Sequence, residues 1–166
     1  MNNHSFILKT LICILLLLAG STIAHADTNP DKRNCSVNSI HDGDTLRVTC
    51  EGAMIKVRLY CIDTPELAQR PWGGESRDHL RSLVGDNVVL LDHGKDRYGR
   101  VLGEVLFQGE NVNITMVQHG QAAVYTKYCS LDGYYMAEKS ARESGLGIWS
   151  KPGMHQTPWA WRKKNR

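Results

Sequence analysis

The sequence has no pair of cysteines separated by two residues, and its seven histidines show no spacing typical of a transition-metal site. These absences argue against a structural zinc site. The sequence also has no internal repeat, and 166 residues leave room for one compact domain, which argues against a two-domain enzyme. With 42% apolar and 22% charged residues, the chain is neither disordered nor a fibre nor a membrane bundle. Any function must therefore be indicated by local motifs.

A large net charge is missing as well. The formal charge is +3 at pH 7, which is too small to indicate a polyanionic partner by itself. The basic residues are instead clustered, in a loop that contains Arg97 and Arg100 and in a tail that contains Arg162, Lys163, Lys164 and Arg166. The tail either follows a polyanion or is only a solvated chain end.

The sequence contains one long apolar run, at its N terminus. Lys9 precedes the run 11–19, and the small-residue pattern Ala24-His25-Ala26 follows it, as in a secretory signal cleaved at the end of that pattern. An uncleaved anchor is the alternative, but a spanning helix needs about 20 apolar residues and Gly20 interrupts the run. We predict a signal peptide over 1–26, export to a periplasm or the medium, and no stable membrane association after cleavage.

Four cysteines follow the predicted cleavage site: Cys35, Cys50, Cys61 and Cys129. An even number in an exported chain predicts disulfides, with three possible connectivities. The Asp42-Gly43 pair is typical of a tight hairpin turn, and counting outward from a two-residue loop places Cys35 opposite Cys50 if no bulge intervenes. A Cys35–Cys50 bridge, with Cys61–Cys129 by elimination, is therefore our hypothesis; a bond between Cys35 and Cys61 stays open.

Hydrophobic periodicity divides residues 27–150, the predicted domain, into strands and helices. The strands are predicted as three within 35–62 and further ones at 88–91, 101–107 and within 121–128, with a polar loop at 92–100. The helices are predicted over 75–84, 112–119 and 132–144. Residues 151–166 are predicted to form an irregular basic tail that packs partly through Trp159 and Trp161.

This order of elements predicts a mainly β protein with helices, in the α+β class. About five strands match a Greek-key barrel of the oligonucleotide-binding type, with about three helices added to it. In the third strand, Val57 and Leu59 alternate with Lys56 and Arg58. If the apolar face meets the core, Arg58 points outward. The fold alone does not determine an activity.

Three carboxylates and two arginines lie at predicted turns and strand ends, where a barrel gathers side chains at one rim: Asp44, Arg58, Asp63, Glu66 and Arg100. Carboxylates repel a phosphate, but a hard divalent cation held between two of them attracts one. Arginine forks match two phosphate oxygens, and a spare carboxylate can take a proton from an attacking water. The set therefore predicts hydrolysis of a phosphodiester with the help of a metal.

The motifs that carry these residues are Asp-Gly-Asp-Thr at 42–45, Arg-Leu-x-x-Ile-Asp-Thr-Pro-Glu at 58–66, Asp-Arg-Tyr-Gly-Arg at 96–100 and Gly-Ile-Trp-Ser at 147–150. Together they resemble staphylococcal nuclease and its relatives, over roughly residues 37–150. The resemblance implies Ca²⁺ ligands at Asp44, Asp63 and the Thr64 main-chain carbonyl. It implies catalytic roles for Arg58, Glu66 and Arg100, and cleavage of both DNA and RNA that leaves 3′-phosphate ends.

Four further residues are predicted to contact the substrate: Arg97, Tyr98, Tyr125 and Tyr128. Arg97 and Tyr98 belong to the basic loop, where Arg97 is more naturally a contact to the substrate backbone than a catalyst. Tyr128 matches one nucleotide-covering tyrosine of the family by spacing, and Tyr125 replaces the other, whose place is taken by Thr126. From the sequence alone, a place in the barrel wall is slightly favoured over base stacking for both tyrosines. The segment between Glu66 and Arg100 is shorter than in the type member of the family, which leaves substrate preference open.

The prediction is thus an exported, Ca²⁺-dependent nuclease, monomeric, with DNA and RNA as substrates. The chief alternative is a catalytically silent barrel that holds single strands, although a mere binder gains nothing from three carboxylates facing a polyanion. A module that uses Ca²⁺ structurally is the third possibility, but it leaves the arginine pair without a role.

Overall fold

The structure is a computed structural model that describes residues 30–165. The predicted signal peptide lies outside the described residues. The strands are β1 (Asp31–Ile40), β2 (Thr45–Cys50), β3 (Ala53–Leu59), β4 (Ile62–Asp63), β5 (Asn87–Lys95), β6 (Val101–Phe107), β7 (Glu110–Asn111) and β8 (Ala123–Val124). The α-helices are α1 (Trp72–Leu83), α2 (Val112–Gln118), α3 (Asp132–Glu143) and α4 (Pro158–Lys164).

Five strands close into a barrel in the order β3-β2-β1-β5-β6, and a parallel pairing of β6 with β3 completes the ring. The predicted five-stranded barrel is confirmed. Alternating apolar side chains such as Leu46, Val57 and Leu90 fill its interior and are fully buried. Gly103 lets the interior pack closely, because a Cβ atom there would lie 2.4 Å from the Leu90 Cδ1 atom. The short strand β7 pairs antiparallel with the end of β6, and β4 pairs with β8 beside the barrel.

Both disulfides of the hypothesis are present, Cys35–Cys50 and Cys61–Cys129. The reasoning behind the first was nevertheless wrong in two places. The turn between β1 and β2 has three residues, Asp42–Asp44, instead of two, because Ile40 pairs with Leu46 and His41 N donates to Thr45 O at 2.9 Å; Asn38 forms a bulge between Val37 and Ser39. The two deviations compensate. The longer turn shifts the pairing of β1 with β2 by one residue, and the bulge shifts it back by one residue before Cys35 is reached.

Several predicted boundaries are corrected by the pairing of strands. β5 runs to Lys95, so the predicted loop 92–100 is shortened to 96–100, and the strand predicted within 121–128 is reduced to Ala123–Val124. β5 continues because its partners β1 and β6 extend beside it, whereas only β4 is available to pair with β8. None of the helices in the described residues is long and apolar enough to cross a membrane.

The prediction of an irregular tail over 151–166 is wrong. A short 3₁₀ helix (Met154–Gln156) leads into α4, so the described part of the chain has four α-helices where about three were predicted. Pro158 is suited to the first position of a helix. Trp159 packs against a small second core that includes Ile148 and Trp149, so tertiary packing stabilises a helix that seven residues alone cannot.

A buried carboxylate ties the barrel to α3. Glu104 on β6 accepts hydrogen bonds from Tyr134 Oη at 2.6 Å and Asn111 Nδ2 at 2.8 Å, and His93 Nε2 lies 2.9 Å from its other oxygen. Burial by itself raises the pKa of Glu104, but the hydrogen bonds from Tyr134, Asn111 and His93 outweigh it and lower the pKa below its usual value. The ionised side chain therefore stabilises the fold.

Replacing this carboxylate, Glu104→Gln, is expected to lower the free energy of unfolding by about 1–3 kcal/mol, because an amide hydrogen then faces hydrogen-bond donors. The pKa of Glu104 is lower in the folded than in the unfolded state. Ionised Glu104 therefore stabilises the fold at pH values above the unfolded pKa, and this stabilisation is lost as the pH falls through the folded pKa. The difference from wild type should therefore narrow below about pH 4. Urea denaturation at several pH values measures this difference in stability, and the exposed residue Glu110 provides the control variant Glu110→Gln. Equal denaturation midpoints for Glu104→Gln and Glu110→Gln would contradict the prediction.

Candidate active site

Asp44 lies at the end of the β1–β2 turn and is 5% exposed. Its Oδ2 atom accepts hydrogen bonds from the main-chain N of Thr64 at 2.9 Å and from its hydroxyl at 2.8 Å. The turn packs directly on α1, and a Cβ atom at Gly43 would lie 2.0 Å from the Ser76 hydroxyl oxygen. Glycine beside Asp44 therefore lets the turn lie close against α1.

Arg58 joins two acids. Its partner across the β2–β3 pairing is Thr45, which places Arg58 next to Asp44, and its Nη1 atom lies 2.6 Å from Asp44 Oδ2. Nη2 donates to Asp63 Oδ1 at 2.6 Å. The side chain leaves the apolar face of β3, as predicted, but it is only 11% exposed because the acids cover it. The two carboxylates thus meet at one guanidinium.

Asp63 and Glu66 follow each other where the short strand β4 ends. Asp63 is completely buried, whereas Glu66 is partly exposed and its main-chain N donates to Gln69 Oε1 at 2.9 Å. The alternative of an Arg58–Glu66 ion pair is not what the described residues show. Arg58 pairs with Asp44 and Asp63, and Glu66 instead pairs with Arg162.

Arg162 on α4 was missed as a site residue. Nη1 donates to Glu66 Oε1 at 2.8 Å, and Nη2 donates to Asp63 Oδ2 at 2.8 Å and to Oδ1 at 3.1 Å. The contacts span 96 and 99 residues of sequence. The only signal in the sequence was the basic character of the tail, which does not distinguish Arg162 from the neighbouring lysines.

Arg100 lies apart from the acids of the site. It directly precedes Val101, which pairs with Val57, so it stands beside the strand that carries Arg58. Its Nε atom donates to Asp96 Oδ2 at 2.7 Å, and its main-chain N donates to Asp96 Oδ1 at 3.0 Å. Among the described residues, Arg100 makes no ion pair other than the one with Asp96. The structure therefore brings together four of the five predicted residues and holds the fifth at the same rim.

The predicted substrate residues form two exposed aromatic groups. Tyr98 is 67% exposed, with the guanidinium carbon of Arg97 4.7 Å from its ring centre. Tyr128 is 55% exposed and meets the edge of Tyr125, whose other neighbour is Trp159, stacked at 5.4 Å. Tyr125 and Tyr128 therefore do not belong to the barrel wall, and Trp159 is an aromatic neighbour that the sequence analysis did not connect with them.

Negative charge is in excess at this site. Asp42, Asp44, Asp63 and Glu66 face two arginines, Arg58 and Arg162. Burial raises the pKa of Asp63 to about 6 despite its arginine neighbours. Burial, followed by the charge of Asp44, raises the pKa of Asp42 to about 6. A cation bound here would lower the cost of keeping these carboxylates ionised.

The donor set fits a hard divalent cation. Within residues 30–165, no three acidic, histidine or cysteine side chains converge on one point. Asp44 and Asp63 do meet, as a pair, at the Arg58 guanidinium, and both are buried. With the main-chain carbonyl of Thr64, they offer the oxygen ligands that Ca²⁺ and Mg²⁺ prefer.

Comparison with known proteins agrees with this geometry. The family described as Staphylococcal nuclease homologue matches residues 56–151. A Haemophilus influenzae protein described as an uncharacterized endonuclease is 36% identical over 168 residues, covering 100% of this chain and 89% of the relative. The micrococcal nuclease of Shigella flexneri is 38% identical over 139 residues, covering 76% of this chain and 79% of the relative. Endonuclease YncB of Bacillus subtilis is 31% identical over 144 residues, covering 78% and 67%.

The barrel with buried acids and arginines at its rim, taken with these relatives, defines the class of protein as a nuclease that hydrolyses phosphodiester bonds. The chain belongs to the staphylococcal nuclease family. The matched segment contains Arg58, Asp63, Glu66 and Arg100 and ends before α4.

Proposed function

We propose that this nuclease is Ca²⁺-dependent, that it cleaves DNA and RNA, and that it leaves 3′-phosphate ends. The observation that carries the proposal is the meeting of Asp44 and Asp63 at Arg58, with 2.6 Å on each side and Glu66 three residues further along the chain. Two buried acids beside an arginine fork provide both a place for a cation and a donor for a phosphate.

The cation would be held by the carboxylates of Asp44 and Asp63 and by the Thr64 carbonyl. When bound, it supplies positive charge next to the phosphate and favours the nucleophilic form of water. Thr64 also orients Asp44, because its main-chain N and hydroxyl both donate to Oδ2, while the Thr45 hydroxyl donates to Oδ1 at 3.2 Å. The donor set is thus arranged before any cation arrives.

The remaining steps fall to the side chains. Glu66 accepts the proton of a water molecule while the water oxygen forms a bond to phosphorus. Arg58 and Arg100 donate to the phosphate oxygens and stabilise the charge of the five-coordinate transition state. The bond from phosphorus to the 5′ oxygen then breaks and the 5′ oxygen takes up a proton from solvent, which leaves a 5′-hydroxyl and a 3′-phosphate. For this, Arg100 must exchange Asp96 for the phosphate.

Substrate is bound outside the reacting centre. We propose that Arg97 contacts the phosphate backbone and that Tyr98, Tyr125 and Tyr128 stack with bases. The exposure of Tyr98 and Tyr128 and the cations beside both rings support this role, since stacking on aromatic side chains tolerates any base. Such contacts suit a nuclease that accepts both DNA and RNA.

We further propose that the protein is exported, after removal of residues 1–26, and acts as a monomer in a periplasm or in the medium without stable membrane association. Two disulfides support an oxidising compartment, because such bonds persist outside the reducing cytosol. The domain proper is proposed to span residues 27–150, with 151–166 as a C-terminal extension.

The test is cleavage of plasmid DNA and of an RNA by the oxidised chain from Asp27 onward, with Ca²⁺, with Mg²⁺ and with chelator. Cleavage is expected with Ca²⁺ and not with chelator, and the products should carry 3′-phosphates detectable by phosphatase-dependent end labelling. Glu66→Gln should lower turnover by about 10²–10⁴-fold, as is typical for loss of a general base.

Glu143→Gln is the matched control, because Glu143 is an exposed glutamate at the end of α3. Its turnover should equal that of the wild type. Binding of nucleic acid without cleavage under every condition would contradict the proposal and would favour the silent single-strand binder.

A further inference from the structure

The C-terminal helix α4 is fixed beside the site by packing on two sides. Trp159 stacks on Tyr125 with 5.4 Å between ring centres and also touches the second core of Ile148 and Trp149. In the segment that leads to α4, His155 is buried and stacks on Trp72 at 4.3 Å. Aromatic contacts therefore hold α4 in this position in addition to the ion pairs that the helix makes.

From this position α4 directs one side chain into the acids. Arg162 spans Glu66 and Asp63, with three contacts between 2.8 and 3.1 Å. Asp63 is completely buried and already accepts a hydrogen bond from Arg58. Both oxygens of Asp63 are thus occupied by guanidinium groups.

These contacts are incompatible with a cation bound at Asp63. A carboxylate oxygen that ligates a divalent cation cannot also keep a guanidinium at hydrogen-bond distance on the same side, since the two positive charges repel each other. Arg58 approaches Asp63 through one oxygen only, whereas Arg162 reaches both. Arg58 itself lies between Asp44 and Asp63, but among the described residues only Arg162 donates to Asp63 Oδ2, so Arg162 must withdraw before a cation can bind at that oxygen.

We infer that Arg162 is an internal competitor for the metal at Asp63, and that α4 thereby lowers the affinity of the site for its cation. The inference rests on the proposed function only in requiring that a cation binds at Asp63. Arg162 is not proposed to touch the substrate; it acts on the site by binding the side chains of Asp63 and Glu66. The segment that matches the family ends at residue 151, so Arg162 lies outside the part of the chain that carries the family match.

Removing the competitor should strengthen metal binding. Arg162→Met keeps much of the apolar stem without the charge, and it is expected to bind Ca²⁺ about tenfold more tightly than the wild type. The estimate is modest because the side chain is 31% exposed and its ion pairs are partly screened. Titration calorimetry of the oxidised chain with Ca²⁺ alone measures the affinity, and the rise of Tm with Ca²⁺ gives a second readout.

Two further variants make the experiment specific. Lys164→Met removes the same charge from the same helix, but Lys164 is exposed and makes no ion pair among the described residues, so its Ca²⁺ affinity should stay within about twofold of the wild type. Trp159→Ala keeps Arg162 but removes the stack on Tyr125 that fixes α4. It should also bind Ca²⁺ more tightly, because a loosened helix holds Arg162 on Asp63 less often.

Unchanged or weaker Ca²⁺ binding in Arg162→Met, with a urea midpoint that shows an intact fold, would overturn the inference. Equal tightening in Lys164→Met would also overturn it, because the effect would then be one of general charge. The proposed function is tested separately by cleavage: metal-dependent cleavage together with an unchanged affinity in Arg162→Met refutes the competitor alone. Loss of metal-dependent cleavage in every form would refute the proposed function.

Discussion

Replacing Arg100 by alanine is expected to lower kcat by about 10²–10³-fold while leaving the fold intact. Loss of one donor to a developing negative charge typically costs this much. Arg100 is suited to this test because, among the described residues, its side chain interacts only with Asp96 in its own loop and with the nearby ring of Tyr98. Single-turnover cleavage of a labelled oligonucleotide at saturating protein measures the step directly.

Arg97→Ala is the matched comparison, since Arg97 belongs to the same loop and is exposed. If Arg97 only contacts the substrate backbone, its loss should raise KM and leave kcat nearly unchanged. Near-normal turnover in Arg100→Ala, or equal losses of kcat in both variants, would refute the catalytic role of Arg100.

Arg58→Ala is expected to be less informative, although a similar role is proposed for Arg58. Arg58 lies between two buried acids, at 2.6 Å from each. Removing one partner from such a buried arrangement costs about 3–5 kcal/mol. We therefore expect Arg58→Ala to lower both turnover and stability, so that activity alone does not separate its two roles. Arg58→Lys keeps a charge between the acids and should recover more stability than turnover.

Asp44→Asn is expected to weaken Ca²⁺ binding by more than about 100-fold. Loss of residues that only support a metal ligand costs about 10–100-fold in affinity, so loss of a ligand should cost at least as much as the upper end of that range. Asparagine keeps one oxygen that can accept from Thr64, which preserves the link between the β1–β2 turn and the segment after β4. Titration calorimetry with Ca²⁺ measures the change.

Asp78→Asn serves as the control for this variant, because Asp78 is an exposed acid on the outer surface of α1. Its Ca²⁺ affinity should match that of the wild type. An unchanged affinity in Asp44→Asn, with circular dichroism equal to that of the wild type, would remove Asp44 from the set of ligands and would require another place for the cation.

The barrel was predictable from the sequence because its strands carry their own signal. Val57 and Leu59 alternate with polar residues at a period of two, and this period identifies the face that a sheet must bury. The prediction for the turn was wrong, because the loop is longer than two residues and a bulge at Asn38 follows it in the pairing. The effects of the loop and the bulge on the register cancel each other. The correct Cys35–Cys50 pairing therefore resulted from two compensating errors.

Asp44, Arg58, Asp63 and Glu66 were also predictable as a group, since each is local to a turn or to a strand end. Their proximity follows from the β2–β3 pairing and from the link between Thr64 and Asp44. The sequence did not show which partners they choose. It permitted an ion pair between Arg58 and Glu66, whereas the structure assigns Arg58 to the two aspartates and Glu66 to Arg162.

What the sequence determined by itself was thus the class of fold and the residues at the rim, because local periodicity and turn chemistry act over a few residues. Only the tertiary structure decided the place of the C-terminal segment. Seven residues are too few for a helix to form without support, and α4 exists because Trp159 finds a core and an aromatic neighbour more than 30 residues away. The contact of Arg162 with Asp63 follows from that packing, which no local pattern reveals.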